Sequence, residues 1–296
     1  MDLWPKISIV TPSFNQAGFL ERTIRSVLDQ NYPNLEYIIV DGGSTDGSLE
    51  IIRRYEDRLA WWCSEPDGGQ SDALNKGFGR ATGEIVGWLN SDDLYCPGAL
   101  HQVGRYLDCH PEVDALHGSL YIIDGEDRLL DAYWSGPFGM AQATYIFHVG
   151  LNFHQQTLFW RRELMGRAGM IDRTLNFSMD RDFIIRLLVH GRFAALRRYL
   201  GAFRVHEQAK SSTILEVSVA EDRLIRDRYR DSFPPLVMNS RLNRLLLRLL
   251  RLCNLIYDAP AGYLSYRLGR ALGLSVPVEW LVREPYLFGE GKVAHR

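Results

Sequence analysis

Short apolar runs alternate with amphipathic stretches through the N-terminal part of the chain. Ile7-Ser8-Ile9-Val10 reads as a strand, followed by a turn around Pro12 and Asn15 and then by Phe19, Leu20, Ile24, Val27 and Leu28 at helical spacing. Tyr37-Ile38-Ile39-Val40 predicts a second strand, closed by Asp41-Gly42-Gly43-Ser44-Thr45-Asp46-Gly47, after which Leu49, Ile51, Ile52 and Tyr55 predict a helix. A helix over Ser71 to Arg80 then leads into a third run, Ile85-Val86-Gly87-Trp88-Leu89, which ends at Asn90-Ser91-Asp92-Asp93. Strands that are apolar on both faces and alternate with helices predict an α/β fold with a mostly parallel sheet covered on each side. Ligands then bind beyond the carboxyl ends of the strands.

Further on the alternation loosens. Strands are expected at Leu116 to Ile123 and Gln156 to Trp160, joined by a Gly- and aromatic-rich loop. Ser178-Met179-Asp180-Arg181-Asp182 opens a helix with Phe183, Ile184, Leu187 and Leu188 inward, and a strand near Ala194 to Val205 leads to His206. After Ser212 the pattern turns helical, over Val217 to Tyr229 and Arg241 to Ile256, with Pro234-Pro235 between. The expected division is therefore an α/β domain over 1–212 and a helical C-terminal module over 213–296. In the second tail helix Arg241, Arg244, Arg248 and Arg251 stripe one face while leucines fill the rest. Two readings stand for that stripe: a solvated face on a helix packed against the catalytic domain, or an interfacial helix on anionic lipid.

Composition narrows the class. The 296 residues are 46% hydrophobic and 24% charged, which describes a globular chain and excludes disorder, collagen and coiled coil. A net charge of -2 gives no global attraction to nucleic acid, so none is expected as a partner. The 4 cysteines form no CxxC pair, which fits a reducing compartment and argues against a thiolate zinc site. No basic segment leads into an apolar run at the start, so no signal peptide is expected. The leucine-rich stretch 242–257 is interrupted by arginines and too short to span a bilayer. The expected location is the cytoplasm, at the inner face of the membrane if the arginine helix binds lipid.

Carboxylates punctuate the ends of the apolar runs: Asp41 after Val40, Asp92 with Asp93 after Leu89, and Asp180 with Asp182 before a helix. A parallel sheet brings the first two groups to one edge, where paired aspartates suit Mg²⁺ or Mn²⁺ sharing its shell with phosphate and water. That combination points to a nucleotide diphosphate. For any one aspartate taken alone, turn closure or helix capping is the favoured account.

Taken together, several segments resemble the family 2 glycosyltransferases. They are Ile7 to Asn15 (ISIVTPSFN), Ser26-Val27-Leu28-Asp29-Gln30, Glu36 to Gly47 (EYIIVDGGSTDG), Ser64 to Gly77 (SEPDGGQSDALNKG), Trp88 to Asp93 (WLNSDD), and Met179-Asp180-Arg181-Asp182-Phe183 with Arg186. The resemblance covers about residues 6 to 212. It implies the GT-A nucleotide-diphospho-sugar transferase fold and inverting transfer of a sugar, from a UDP-sugar first, to a hydroxyl of a sugar or lipid-linked glycan. Bacterial polysaccharide or lipid-linked glycan assembly is the implied setting. It further implies that Thr11 and Pro12 line the nucleotide pocket, that Asp41 hydrogen-bonds the base, and that Asp67 lies near base and ribose. Asp92, with Asp93 beside it, would hold a divalent metal on the diphosphate. Asp180 matches the catalytic base, and His206 a further metal or diphosphate contact.

The chain departs from that pattern in two places. Where the family usually has Asp-x-Asp, the first position is Asn90, which brings no charge. Where many relatives carry a basic residue before the asparagine of Asn-x-Gly stands Leu74, so the diphosphate contact is expected from Lys76 or Arg204. His154-Gln155-Gln156 is read either as acceptor wall or as structural, and Trp134 as a sugar-stacking candidate. Two other functions fit parts of the pattern, a sugar-phosphate nucleotidyltransferase and a non-catalytic nucleotide-sugar binder. Thr11-Pro12-Ser13-Phe14-Asn15 lacks the Gly- and Arg/Lys-rich loop of the first.

Overall fold

Each apolar run near the N-terminus becomes a strand in the computed structural model, which describes residues 4–133, 154–209 and 215–232. β1 (Ile7–Ser13), β2 (Leu35–Asp41), β3 (Trp61–Ser64) and β4 (Ile85–Trp88) lie parallel in the order β3-β2-β1-β4. Their register sets Ser13 opposite Asp41 and Asp41 opposite Ser64, so three carboxyl ends meet at one edge. Alternation along β2 splits the core in two. Ile38 and Val40 face α3 (Gln70–Arg80), while Tyr37 and Ile39 face α1 (Ala17–Leu28) and α2 (Ser48–Arg54).

The other half of the sheet mixes directions. β8 (Leu158–Arg161) runs antiparallel to β4, and β6 (Ala115–Ile123) antiparallel to β8. β9 (Phe193–Arg204) is parallel to β6, while β5 (Leu94–Tyr95) closes the far edge antiparallel to β9. β7 (Leu129–Tyr133) pairs with the second half of β6. Two further helices, α4 (Ala99–Cys109) and α5 (Arg162–Ala168), were not predicted, although Leu100, Val103 and Leu107 of α4 follow helical spacing and are buried. The strand expected from Gln156 begins at Leu158, after a 3-10 turn over Gln155–Thr157.

α6 (Met179–His190) follows, and α7 (Leu215–Arg228) is the first tail helix. Ile225 of α7 is wholly buried in the same apolar cluster as Phe183, Ile184 and Leu188 of α6. Arg228 and the Tyr229 hydroxyl both donate to Asp182 Oδ1, at 2.7 and 2.8 Å. The first tail helix is thus part of the α/β core. The arginine-striped segment 241–256 and Trp134 lie outside the described residues. Among the described residues no helix is long and apolar enough to cross a membrane.

Candidate active site

At the carboxyl edge of the sheet opens a cleft of about 1430 Å³, lined among the described residues by Pro12, Asp67, Asn90, Asp92 and Asp180, among others. Asp67 lies against Gly42, where a Cβ would come within 3.1 Å of Asp67 Oδ2 and press on its carboxylate. Asp41 lies beneath this surface and is fully buried. Its Oδ2 accepts from the N–H groups of Gly43 (3.1 Å) and Ser44 (2.9 Å) and from Ser64 Oγ (2.7 Å), and its Oδ1 from Ser44 Oγ (2.6 Å). Four donors on one carboxylate shape the Gly42-Gly43-Ser44 turn. Thr11 is also buried, with Oγ1 3.1 Å from the Tyr37 hydroxyl. Both side chains are thus engaged inside the sheet, and beside them Pro12, Gly42 and Gly43 line the cleft.

The loop after β4 is organised by Asn90. Its Oδ1 accepts from Trp88 Nε1 (2.7 Å) and Gln70 Nε2 (2.9 Å), while its Nδ2 donates to Asp93 Oδ2 (3.2 Å) and Gln155 Oε1 (3.3 Å). An aspartate could supply neither donation. Asp93 is fully buried and also accepts from the Arg204 N–H (3.0 Å) and Gln156 Nε2 (2.9 Å). Burial, and secondly the Asp92 charge, hold its carboxyl well above the ordinary carboxylate range. Its carboxyl faces the interior, off the cleft lining.

The two cations expected at the diphosphate, Arg204 and Lys76, are both engaged in ion pairs. The Arg204 guanidinium is fully buried, bonds the Asp92 carbonyl and Asp127, and lies 4.9 Å from the Phe19 ring centroid. Lys76 Nζ donates to Glu65 Oε1 at 2.7 Å, and neither cation lines the cleft. Asp92 does line it, and His206 Nε2 stands 3.1 Å from Asp92 Oδ2, its ring packed 4.3 Å from Phe19. Across the cleft, Asp180 sits in the first turn of α6, and helical geometry turns Asp182 the other way, fully buried against Arg186, Arg228 and Tyr229.

The sequence profile of glycosyl transferase family 2 matches residues 8–167. The chain belongs to this family. This glycosyltransferase is 33% identical over 186 residues to the uncharacterized glycosyltransferase MT1564 of Mycobacterium tuberculosis, a match spanning 62% of this chain and 68% of that protein. Its structure is similar to that of S. aureus TarS in complex with UDP-GlcNAc, with a TM-score of 0.64 at 17% identity over 87% of this chain and 75% of that one. It is also similar to the mannosyltransferase PcManGT of Pyrobaculum calidifontis in complex with GDP-Man and Mn2+, with a TM-score of 0.54 at 17% identity over 91% and 85% of the two chains. The fold of this glycosyltransferase is GT-A.

The donor set of the family 2 site fits a divalent cation in a limited way. Among the described residues no group of three or more His, Cys, Asp or Glu side chains could enclose a metal. One cleft-facing carboxylate beside one imidazole suits an ion that completes its shell with phosphate oxygens and water. The sequence reading missed Asp131 and Tyr133, which line the cleft from β7, a short strand without a strong apolar signal. His154 lines it too, 4.9 Å from the Tyr133 ring. Burial lowers His154 to about 4, and burial together with the neighbouring His154 lowers His117 to about 3, so both imidazoles are neutral near about pH 7.

Proposed function

We propose that this glycosyltransferase moves a sugar from a nucleoside diphosphate donor to a hydroxyl with inversion, using Asp180 as general base. Asp92 and His206 are the proposed seat of a divalent cation. The observation that carries the reading is the placement of Asp180 on α6 and Asp92 on the β4–β5 loop in one cleft, on separate elements. Inverting displacement breaks the anomeric C–O bond to the diphosphate, forms one to the acceptor oxygen, and sends the acceptor proton to a base. Asp180, which is apart from the Asp92 and His206 pair, is available for that proton. A cation held by Asp92 and His206 would supply neutralisation of charge on the departing diphosphate. His206 orients the Asp92 carboxylate through their 3.1 Å contact, and Arg204, through the Asp92 carbonyl, holds the backbone that carries it.

The nucleotide-sugar complexes of the two structural neighbours support the donor class, and UDP is the first nucleotide to try. Asp67, packed on Gly42 at the strand edge, is the proposed contact near base and ribose. The proposed acceptor is a hydroxyl on a sugar or lipid-linked glycan. Contact with anionic lipid through Arg241, Arg244, Arg248 and Arg251 is supported by their spacing in the sequence.

The test uses the full chain and a donor panel of UDP-GlcNAc, UDP-glucose, UDP-galactose and GDP-mannose. Turnover is read as nucleoside diphosphate released with water as acceptor, and binding as the thermal shift with UDP or GDP with and without Mn²⁺. Asp180→Asn is expected to keep the nucleotide shift and to lower turnover by at least about a hundredfold, in the range of general-base contributions. Near-normal turnover in that variant removes Asp180 from the role of base.

A further inference from the structure

The segment that carries Phe177, Met179 and Asp180 into the cleft is held from two sides. On one, α3 grips its upstream part: Asn75 Oδ1 accepts from the Ile171 N–H and Asn75 Nδ2 donates to the Ile171 carbonyl, both at 2.9 Å. Ser71 Oγ donates to the Leu175 carbonyl at 3.1 Å. On the other stands Glu221 of α7. Its Oε1 accepts from the Asn176 N–H at 2.7 Å, and its Oε2 from the N–H groups of Phe177 at 2.9 Å and Ser178 at 2.7 Å. Three successive backbone donors thus converge on one carboxylate from a helix some forty residues later in the chain.

Ser178 precedes α6 and makes no side-chain cap to it, so the entry into the helix is set from outside. The next residue of α7, Asp222, pairs with Arg181 Nη1 at 2.6 Å, and its Oδ1 lies 3.4 Å from Ser178 Oγ. Hydrogen bonds between backbone N–H and an ionised carboxylate are among the stronger ones in proteins. A displacement of the order of 1 Å at a reacting group costs about a hundredfold in rate.

We propose that Glu221 is a positioning residue: by fixing the backbone of Asn176, Phe177 and Ser178 it sets where the Asp180 carboxylate stands in the cleft. The proposal rests on Asp180 acting as base. It gives the Glu221 carboxylate, on a helix beyond the family-matched residues 8–167, an influence on the reaction without touching the substrate.

The test compares Glu221→Ala, Glu221→Gln and Ile225→Ala in the full chain, with turnover measured on the same donor panel well below each variant's Tm. Glu221→Ala is expected to lower kcat at least about tenfold while donor KM and the UDP- or GDP-induced thermal shift change by less than about twofold. Glu221→Gln, which keeps an acceptor oxygen, is expected to recover part of the loss. Ile225→Ala weakens the docking of α7 through its apolar contact alone and is expected to lower Tm with kcat within about twofold of wild type. Amide exchange of residues 176–180 is expected to rise in Glu221→Ala without any ligand.

A Glu221→Ala kcat within about twofold of wild type overturns the proposal, as does a loss that appears equally in donor KM. Should Glu221→Ala not fold, Glu221→Gln decides: unchanged kcat and unchanged exchange at 176–180 overturn it. Inactive Asp180→Asn together with fully active Glu221 variants defeats the positioning role alone, whereas active Asp180→Asn defeats the base assignment beneath it.

Discussion

Asn90 and Asp93 are joined by a 3.2 Å hydrogen bond from Asn90 Nδ2 to Asp93 Oδ2, and that bond explains why the first position of the expected Asp-x-Asp is an asparagine here. Asp93 is buried and accepts from Asn90, Gln156 and the Arg204 N–H, so a carboxylate at position 90 would set an acceptor where a donor now stands.

Asn90→Asp is therefore expected to destabilise the fold rather than to improve metal binding. Two donations are lost and a charge is added beside a buried acid, which costs about 2 kcal/mol. Thermal unfolding with and without Mn²⁺ checks it. An equal or higher Tm together with a larger Mn²⁺-dependent shift would contradict this account.

The proposed cation seat makes unequal demands on its two members. Asp92→Ala is expected to abolish the Mn²⁺-dependent part of the nucleotide thermal shift. His206→Ala, which removes the neighbour that orients Asp92, is expected to weaken it about tenfold to a hundredfold. Titration calorimetry of UDP or GDP at fixed Mn²⁺ reads both, and a normal affinity in the Asp92 variant would refute the assignment.

Acid stability should depend on Glu36. Burial works against its charge, but donations from Lys6 and Ser8, and from the N–H and hydroxyl of Thr82, overcome it and bring the carboxyl from 4.5 to about 2. A group depressed on folding stabilises the native state above its unfolded value. That stability is lost as pH falls from about 4.5 through about 2. Glu36→Gln is expected to lower Tm near neutrality by roughly the effect of about 2 kcal/mol and to flatten the fall in Tm across that acid window. An acid limb as steep as in wild type would count against the network.

Gly77 lies where α3 meets β1. A Cβ there would stand 2.4 Å from Val10 Cγ1, inside a side chain that is itself fully buried. Gly77→Ala is expected to cost about 1–3 kcal/mol despite the helix propensity it gains, because the helix must move off the sheet. Chemical denaturation reads the loss as a lower midpoint at unchanged slope.

Much of the scaffold could be read before any coordinates. β1, β2 and β4, with α1, α3 and α6, follow from local periodicity, because burial on both faces or along one stripe leaves a pattern in neighbouring residues. β5, β7 and α5 were missed because they are short and stabilised by remote partners, and β3 because it is a four-residue strand at the sheet edge. Asp92 and Asp180 stand out in the sequence as acids at a strand end and a helix start, Asp67 only through the family resemblance, and all three line the cleft.

Which polar side chain turns outward was decided elsewhere. Asp92 and Asp93 are adjacent and chemically identical, yet one meets the cleft and the other Asn90, Gln156 and the Arg204 backbone, contributed by three separate segments. Arg204 and Lys76 pair with Asp127 and Glu65, and Glu221 reaches back to a loop that no local pattern connects to it. Order along the chain specifies where strands and helices begin and end, since those depend on near neighbours. The direction and partner of a buried charge depend on desolvation and on donors brought together only when distant segments pack.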